Sequence, residues 1–322
     1  MKNILPVFWL FFFVTDTHFY GQEVTNANWE AHFAYTDFVD VVTSVENVYV
    51  AASNSVFVYN IIDNTNEEYT TVEGLSGEEI TVIHYSEDHS AIIIGHENGL
   101  VELINENTGS VTSLVDISNQ STFSLANLKI NNFFEEDDIL YIATGFGIVE
   151  YNLNTSFFGD TFLISDSLAI ISNVLAVGIS GDRILASIED RGVFSADKNN
   201  PNLITESSWT NIQDEVFVDI ELLSNKLVAH QNTTDIYSYN EVIFSSVYTN
   251  SSEIMDFNKN SENELTITNL IGSTVLDANF SEIISSEHNS DGEIDRVVTQ
   301  SVYINNESVS YTHLTLPTIY SV

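Results

Sequence analysis

Few residue types capable of chemistry stand in useful patterns in this chain. There are eight histidines and no cysteine, so a thiolate nucleophile, a disulfide framework and a Cys-ligated zinc site are excluded. His84 and His89 are five residues apart across an expected hairpin turn, where two imidazoles could share a metal. As isolated residues they read more simply as half-buried strand positions, and no His-Glu-x-x-His pattern accompanies them. Gly74-Leu75-Ser76-Gly77 is not the Gly-x-Ser-x-Gly elbow. A serine nucleophile also needs a base and an orienting group, of which the sequence carries no sign. Glu287 to Asp295 (EHNSDGEID) echoes a calcium loop through Asn289, Asp291, Gly292 and Asp295. Val298 stands where that loop would need its bidentate Glu, so the stretch reads as an acidic turn. Glu135-Glu136-Asp137-Asp138 reads as a solvated hairpin tip. Carboxylates are so numerous that spacing alone selects no glycosidase pair. The sequence therefore assigns no catalytic, cofactor-binding or metal residue, implies no cofactor, and leaves the ligand-binding residues open.

The charge balance narrows the partners. Forty-seven acidic residues face eight basic ones, a formal charge of −39. Nucleic acid and anionic membrane surfaces would repel such a chain. At 43% hydrophobic residues it is not disordered, and 322 residues can bury a large core.

The elements that must position these residues are strands. Between Gly74 and Gly109, Ile80, Val82 and His84 alternate with Thr81, Ile83 and Tyr85. Ser86–Ser90 breaks the run, Ala91–Ile94 is a short apolar strand, and Glu97-Asn98-Gly99 is a turn. Leu100–Ile104 and Val111–Val115 supply two more strands. The unit recurs at Val48–Asn60, Ala91–Asn105, Ile139–Asn154, Arg183–Asp197, Lys226–Asn240 and Glu264–Asn279, with turns at Asn54, Asn98, Phe146, Arg191, Thr234 and Ile271. The turns are 44, 48, 45, 43 and 37 residues apart. A strand-only period of that length indicates an all-β propeller of four-stranded antiparallel blades. Seven blades are expected, the last incomplete: one from about Phe38 to Val72, then ends near Ile117, Ile164, Ile204, Tyr248 and Ile284, and a seventh starting near Arg296. Trp29, Phe33, Tyr35 and Phe38 are candidates for closing the ring. The Asn-rich runs Asn199-Asn200-Pro201-Asn202 and Asn250-Ser251-Ser252 are read as exposed loops.

Gly74–Asn105, with its Gly-Leu-Ser opening and its Ile-Gly-x-x-x-Gly-Leu turn, resembles the two-component regulator propeller repeat. Trp29–Asn60, the Gly74–Asn105 block and Ile139–Ile164 together resemble the N-terminal propeller of the PorZ-like family, surface proteins of the Bacteroidetes type IX secretion system. The resemblance is close from Trp29 to about Asn200 and looser beyond. It implies a non-catalytic platform at the cell surface within the outer-membrane attachment complex, which removes the sorting signal from cargo and attaches anionic lipopolysaccharide. The implied partners are proteins of that complex and possible contact with the glycolipid. The repeat also occurs in the periplasmic sensors of hybrid two-component regulators, a second reading that would require a transmembrane helix and a kinase module.

Residues 1–22 read as a signal peptide, with Lys2 before the apolar run Ile4–Val14, too short to span a bilayer. Residues 23–308 are expected to be the propeller, the N-terminal one of a longer protein. Residues 309–322 are expected to be non-native, because Val309–Thr318 (VSYTHLTLPT) resembles a translated sequencing adapter. Asp166-Ser167-Leu168 resembles the Bacteroidetes O-glycosylation sequon.

Overall fold

The structure, a computed structural model, describes residues 38–165, 171–269, 272–287, 298–304, 307–312 and 315–321. The signal segment, Trp29, Phe33, Tyr35, Asp166-Ser167-Leu168 and Asn289–Asp295 all lie outside the described residues.

Alternating short strands joined by tight turns fold into antiparallel meanders. Blade one is β1 (Phe38–Thr43), β2 (Asn47–Ala52), β3 (Ser55–Asn60) and β4 (Thr65–Tyr69). Blade two is β5 (Ile80–Ser86), β6 (Ala91–His96), β7 (Val101–Asn105) and β8 (Val111–Leu114). Blade three is β9 (Ile130–Glu136), β10 (Ile139–Thr144), β11 (Gly147–Asn152) and β12 (Phe157–Phe162). Blade four is β13 (Val174–Ser180), β14 (Arg183–Ile188), β15 (Gly192–Asp197) and β16 (Thr210–Gln213). Blade five is β17 (Asp219–Leu223), β18 (Lys226–His230), β19 (Asp235–Tyr239) and β20 (Phe244–Thr249). Blade six is β21 (Ile254–Lys259), β22 (Leu265–Asn269), β23 (Gly272–Leu276) and β24 (Glu282–Glu287).

Two expectations need correction. The structure has six four-stranded blades, not seven. The chain after blade six forms a three-stranded sheet of β25 (Val298–Ile304), β26 (Glu307–Thr312) and β27 (Thr315–Ser321), and no fourth strand joins it among the described residues. Blade four also does not end near Ile204, because its outer strand is Thr210–Gln213. The Asn199–Asn202 run lies inside that blade, on the connection from β15 to β16. This connection is closed by the buried Trp209, whose indole N–H donates to the Leu203 carbonyl at 2.9 Å. A polar, Asn-rich stretch marks a turn, but not which turn of the meander it serves.

Within each blade the middle strands are the most buried. β6 (AIIIGH) is buried at every position, as expected of a strand covered on both faces. Apolar side chains then fill the spaces between neighbouring blades. Ile130, Phe133, Leu140 and Ile142 of blade three pack with Val82, Ile93 and Val101 of blade two. Gly95 shows how close the blades come: a Cβ there would stand 2.6 Å from Ile130 Cγ2. Gly147 begins β11 at φ +146°, where a Cβ would meet the Phe162 carbonyl at 2.3 Å. Polar ties cross between blades as well. Thr81 Oγ1 donates to the Ile130 carbonyl at 2.6 Å, and the Gln213 amide brackets Phe244, donating to its carbonyl at 3.1 Å and accepting its N–H at 2.7 Å.

The first strand of each blade is the innermost. β1 adjoins β5, β5 adjoins β9, and so on through β13, β17 and β21; β25 adjoins both β21 and β1. These strands form a ring around an axial channel.

Candidate binding site: an acidic axial channel

The inner strands carry acids toward the axis. Asp40 on β1, Asn132 on β9, Asp219 on β17 and Asp256 on β21 all lie near the starts of their strands. Asn132 Nδ2 donates to Asp219 Oδ1 at 2.7 Å. β9 and β17 are not neighbours in the ring, since β13 stands between them, so this bond is a chord across the channel. Asp219 Oδ1 also takes the Ile220 N–H at 2.7 Å. Asp40 is held in a similar way: Oδ1 accepts the Val41 N–H at 2.7 Å and Oδ2 accepts the Ile83 N–H of blade two at 2.9 Å.

These carboxylates repel one another. Burial pushes the Asp40 carboxyl up to about 7 against the pull of the two amides, and the Glu221 charge pushes the same way. Asp219 is raised well above the usual carboxylate range by burial first, then by Glu221, Asp256 and Asp40. Neither forms an ion pair among the described residues, and for Asp40 the His84 charge pulls down only as the last of the causes.

Toward the far ends of the inner strands the channel opens into a cavity of about 710 Å3. Its wall carries Glu46, Glu87, Asp88, Glu106, Glu135, Asp137 and Glu221, against Lys259 and His84. Such an opening attracts cations and basic groups and repels anions.

The residues singled out by sequence separate here. His84 Nε2 lies 2.9 Å from Glu135 Oε2, whereas His89 Nε2 lies 3.2 Å from Asp138 Oδ1. The two imidazoles thus address different carboxylates. Among the described residues no group of three acidic, histidine or cysteine side chains is placed to hold a metal by itself. The Glu135–Asp138 tip is more than a solvated turn: Glu135 is mostly buried and also accepts from Ser86 Oγ at 2.7 Å, and Glu136 takes Lys198 Nζ at 2.6 Å.

Ser76 has a carboxylate and a histidine nearby, in the wrong order for catalysis. Its hydroxyl donates to Glu102 Oε2 at 3.0 Å, and the same oxygen lies 2.9 Å from His96 Nε2. The serine therefore contacts the acid and not the base, and the histidine and carboxylate side chains are 1% and 0% exposed. Burial pushes Glu102 up, but the close His96 imidazole and Ser76, through its hydroxyl and backbone N–H, outweigh it and hold the carboxyl below its usual range. Glu106 is a second satisfied acid. It accepts from Tyr49 Oη, from Tyr85 Oη at 2.7 Å, from Asn47 Nδ2 at 2.8 Å and from Ser44 Oγ at 3.1 Å, pinning blade two to blade one.

Sequence reasoning missed the channel acids. A signal for them exists: Val39-Asp40-Val41, Val218-Asp219-Ile220 and Met255-Asp256-Phe257 each place one Asp among apolar residues at a blade's opening strand, and Asn131-Asn132-Phe133 places an Asn there.

Geometry defines the class first: a β-propeller of four-stranded blades around an acidic axial channel. Residues 48–210, half of the chain, match the family described as the N-terminal β-propeller domain of PorZ of the type IX secretion system. The chain belongs to that family. Its fold is similar to that of PorZ, a surface component of the type IX secretion system of the oral bacterium Porphyromonas gingivalis, with a TM-score of 0.68 at 15% identity. That likeness covers 90% of this chain and 38% of the other, so the chain spans well under half of that protein's length. A chain of the mitotic checkpoint complex (TM-score 0.60, 12% identity, 96% and 95% covered) and the computationally designed Ika8 protein (TM-score 0.56, 12% identity, 89% and 97% covered) share the fold. No curated protein matches the sequence.

Proposed function

We propose that this propeller is an exported, non-catalytic interaction platform of the type IX secretion system, working at the cell surface in the attachment complex that removes sorting signals from cargo and attaches anionic lipopolysaccharide. The observation that carries the reading is the family match over residues 48–210. The charged n-region and apolar run at Lys2–Val14 support export. The geometry agrees with a platform, since the exposed Ser76 meets the acid and not the base, and His96 and Glu102 are themselves buried. The acidic cavity favours a basic protein segment as the group that docks there, and the glycolipid's anionic part would be held elsewhere on the protein.

The test is deletion of the gene in its native host, followed by the fate of type IX cargo. The reading expects cargo to keep its sorting signal and to be released rather than anchored, with rescue by the intact gene. Cargo processed and anchored normally in the deletion strain would overturn it.

A further inference from the structure

We propose that the cavity at the mouth of the channel receives the carboxyl end of a polypeptide that finishes in a lysine or arginine. This specifies the basic segment named above as the docking group, and it rests on that reading. The wall of the cavity is uneven. Glu87 and Asp88 on the β5–β6 turn and Asp137 on the β9–β10 turn line it, and their carboxylates have no hydrogen-bonded or ionic partner among the described residues. Six blades and the three-stranded sheet make the ring, so blade six stands across the axis from blades two and three. Its part of the lining is Lys259, Asn260, Ser261 and Asn263, without an acid. Lys259 is the one described lysine or arginine whose side chain has no ion pair, hydrogen bond or ring contact.

A second observation comes from Thr43. It lines the same cavity, is 8% exposed, and its Oγ1 is buried without a hydrogen-bond partner. An unsatisfied buried hydroxyl is costly. Thr43 and Lys259 are the last residues of β1 and β21, strands that contact each other beside β25. A hydroxyl and an ammonium on the same side of a cavity are donors for a carboxylate. The acids across the axis would repel a lone carboxylate, and a lone cation would leave Lys259 and Thr43 unanswered. A ligand that carries both charges meets both walls. The floor selects a chain end. Val42 and Glu221 line the cavity two residues beyond Asp40 and Asp219, and the Asn132–Asp219 hydrogen bond spans the channel there. A chain entering from the mouth meets that bridge instead of an open bore. A terminal lysine or arginine brings its α-carboxylate to Lys259 and Thr43 and its side chain to the acids opposite.

The experiment titrates the full chain into an N-terminally labelled Gly-Ser peptide that ends in lysine with a free carboxylate, read by fluorescence anisotropy at low salt. Two further probes are the same peptide amidated at its carboxyl end and the same peptide ending in norleucine. Each is expected to bind about tenfold more weakly than the first, or worse. Lys259→Met should abolish the preference for the free carboxylate over the amide. Thr43→Val should reduce that preference with Tm unchanged or raised, because the hydroxyl has no partner in the fold. Asp137→Asn should weaken both lysine peptides alike, and asparagine suits its φ of +53°. Equal binding of the free and amidated peptides, or a preference kept in Lys259→Met, would overturn the inference and leave the basic-segment reading standing. Equal binding of the norleucine peptide, or no binding of either lysine peptide, would overturn both. The secretion role is tested apart from these, by the gene deletion.

Discussion

Glu102 is fully buried and Asp219 half-buried, and the fold treats the two carboxylates in opposite ways. Glu102, inside blade two, meets His96, the Ser76 hydroxyl and N–H, and Ser113 Oγ. Its ionised form is favoured, and its carboxyl is held low despite burial. Asp219, on the channel, meets one amide side chain, one backbone N–H and three other acids. Its ionised form is disfavoured. The more deeply buried acid is the one held low, so the difference lies in the donors: the interior of blade two supplies them to Glu102, whereas Asp219 faces other acids. Acids of the first kind hold the fold together. Those of the second kind cost it stability when ionised.

The comparison can be broken most severely at Glu102. Glu102→Ala leaves His96 buried without its partner, and urea unfolding should show a loss of about 3–5 kcal/mol. A loss under about 1 kcal/mol would mean the pair is not formed as described. Glu106→Ala should cost less, about 1–3 kcal/mol, because the tyrosines, Asn47 and Ser44 lose one acceptor at a partly open position. The same titration sharpens the sign. Glu102 and Glu106 are both held low in the fold, so their contribution is complete above the ordinary value of 4.5 and disappears as pH falls through the lowered ones. Urea midpoints should therefore drop below pH 4.5, and less steeply in Glu102→Gln. Smallest is Glu135→Gln, where His84 and the acid are 22% and 13% exposed. Its cost should be about 0–1 kcal/mol, by double-mutant cycle with His84→Ala.

The blades were legible in the sequence because their signal is local. Strand, turn and strand recur within some fifteen residues at Val48–Asn60 or Ile139–Asn154, and the pleat forces alternation on them. The end of blade four was misplaced because Asn199–Asn202 marks a turn without saying which strands it joins. The channel was not read because it is assembled from β1, β9, β17 and β21, residues up to 216 apart between Asp40 and Asp256. In an acidic chain a lone Asp in a strand reads as a solvent-facing position, and only closure of the ring turns it inward. The Glu102–His96 pair is nearer in sequence, yet it depends on the β6–β7 register, in which Gly95 pairs with Val101.

The central claim is that the channel acids oppose the fold when ionised, while the blade acids support it. The most direct test is the unfolding free energy of Asp219→Asn and of the parent chain from pH 4 to pH 8. The folded Asp219 carboxyl lies well above its ordinary value of 3.8, so its contribution is fully present below that value and is lost as pH rises through the raised one. The account predicts that the two proteins coincide near pH 4 and that the variant is more stable by about 1 kcal/mol or more at pH 8. A constant offset at every pH, or a variant less stable at pH 8, would contradict it.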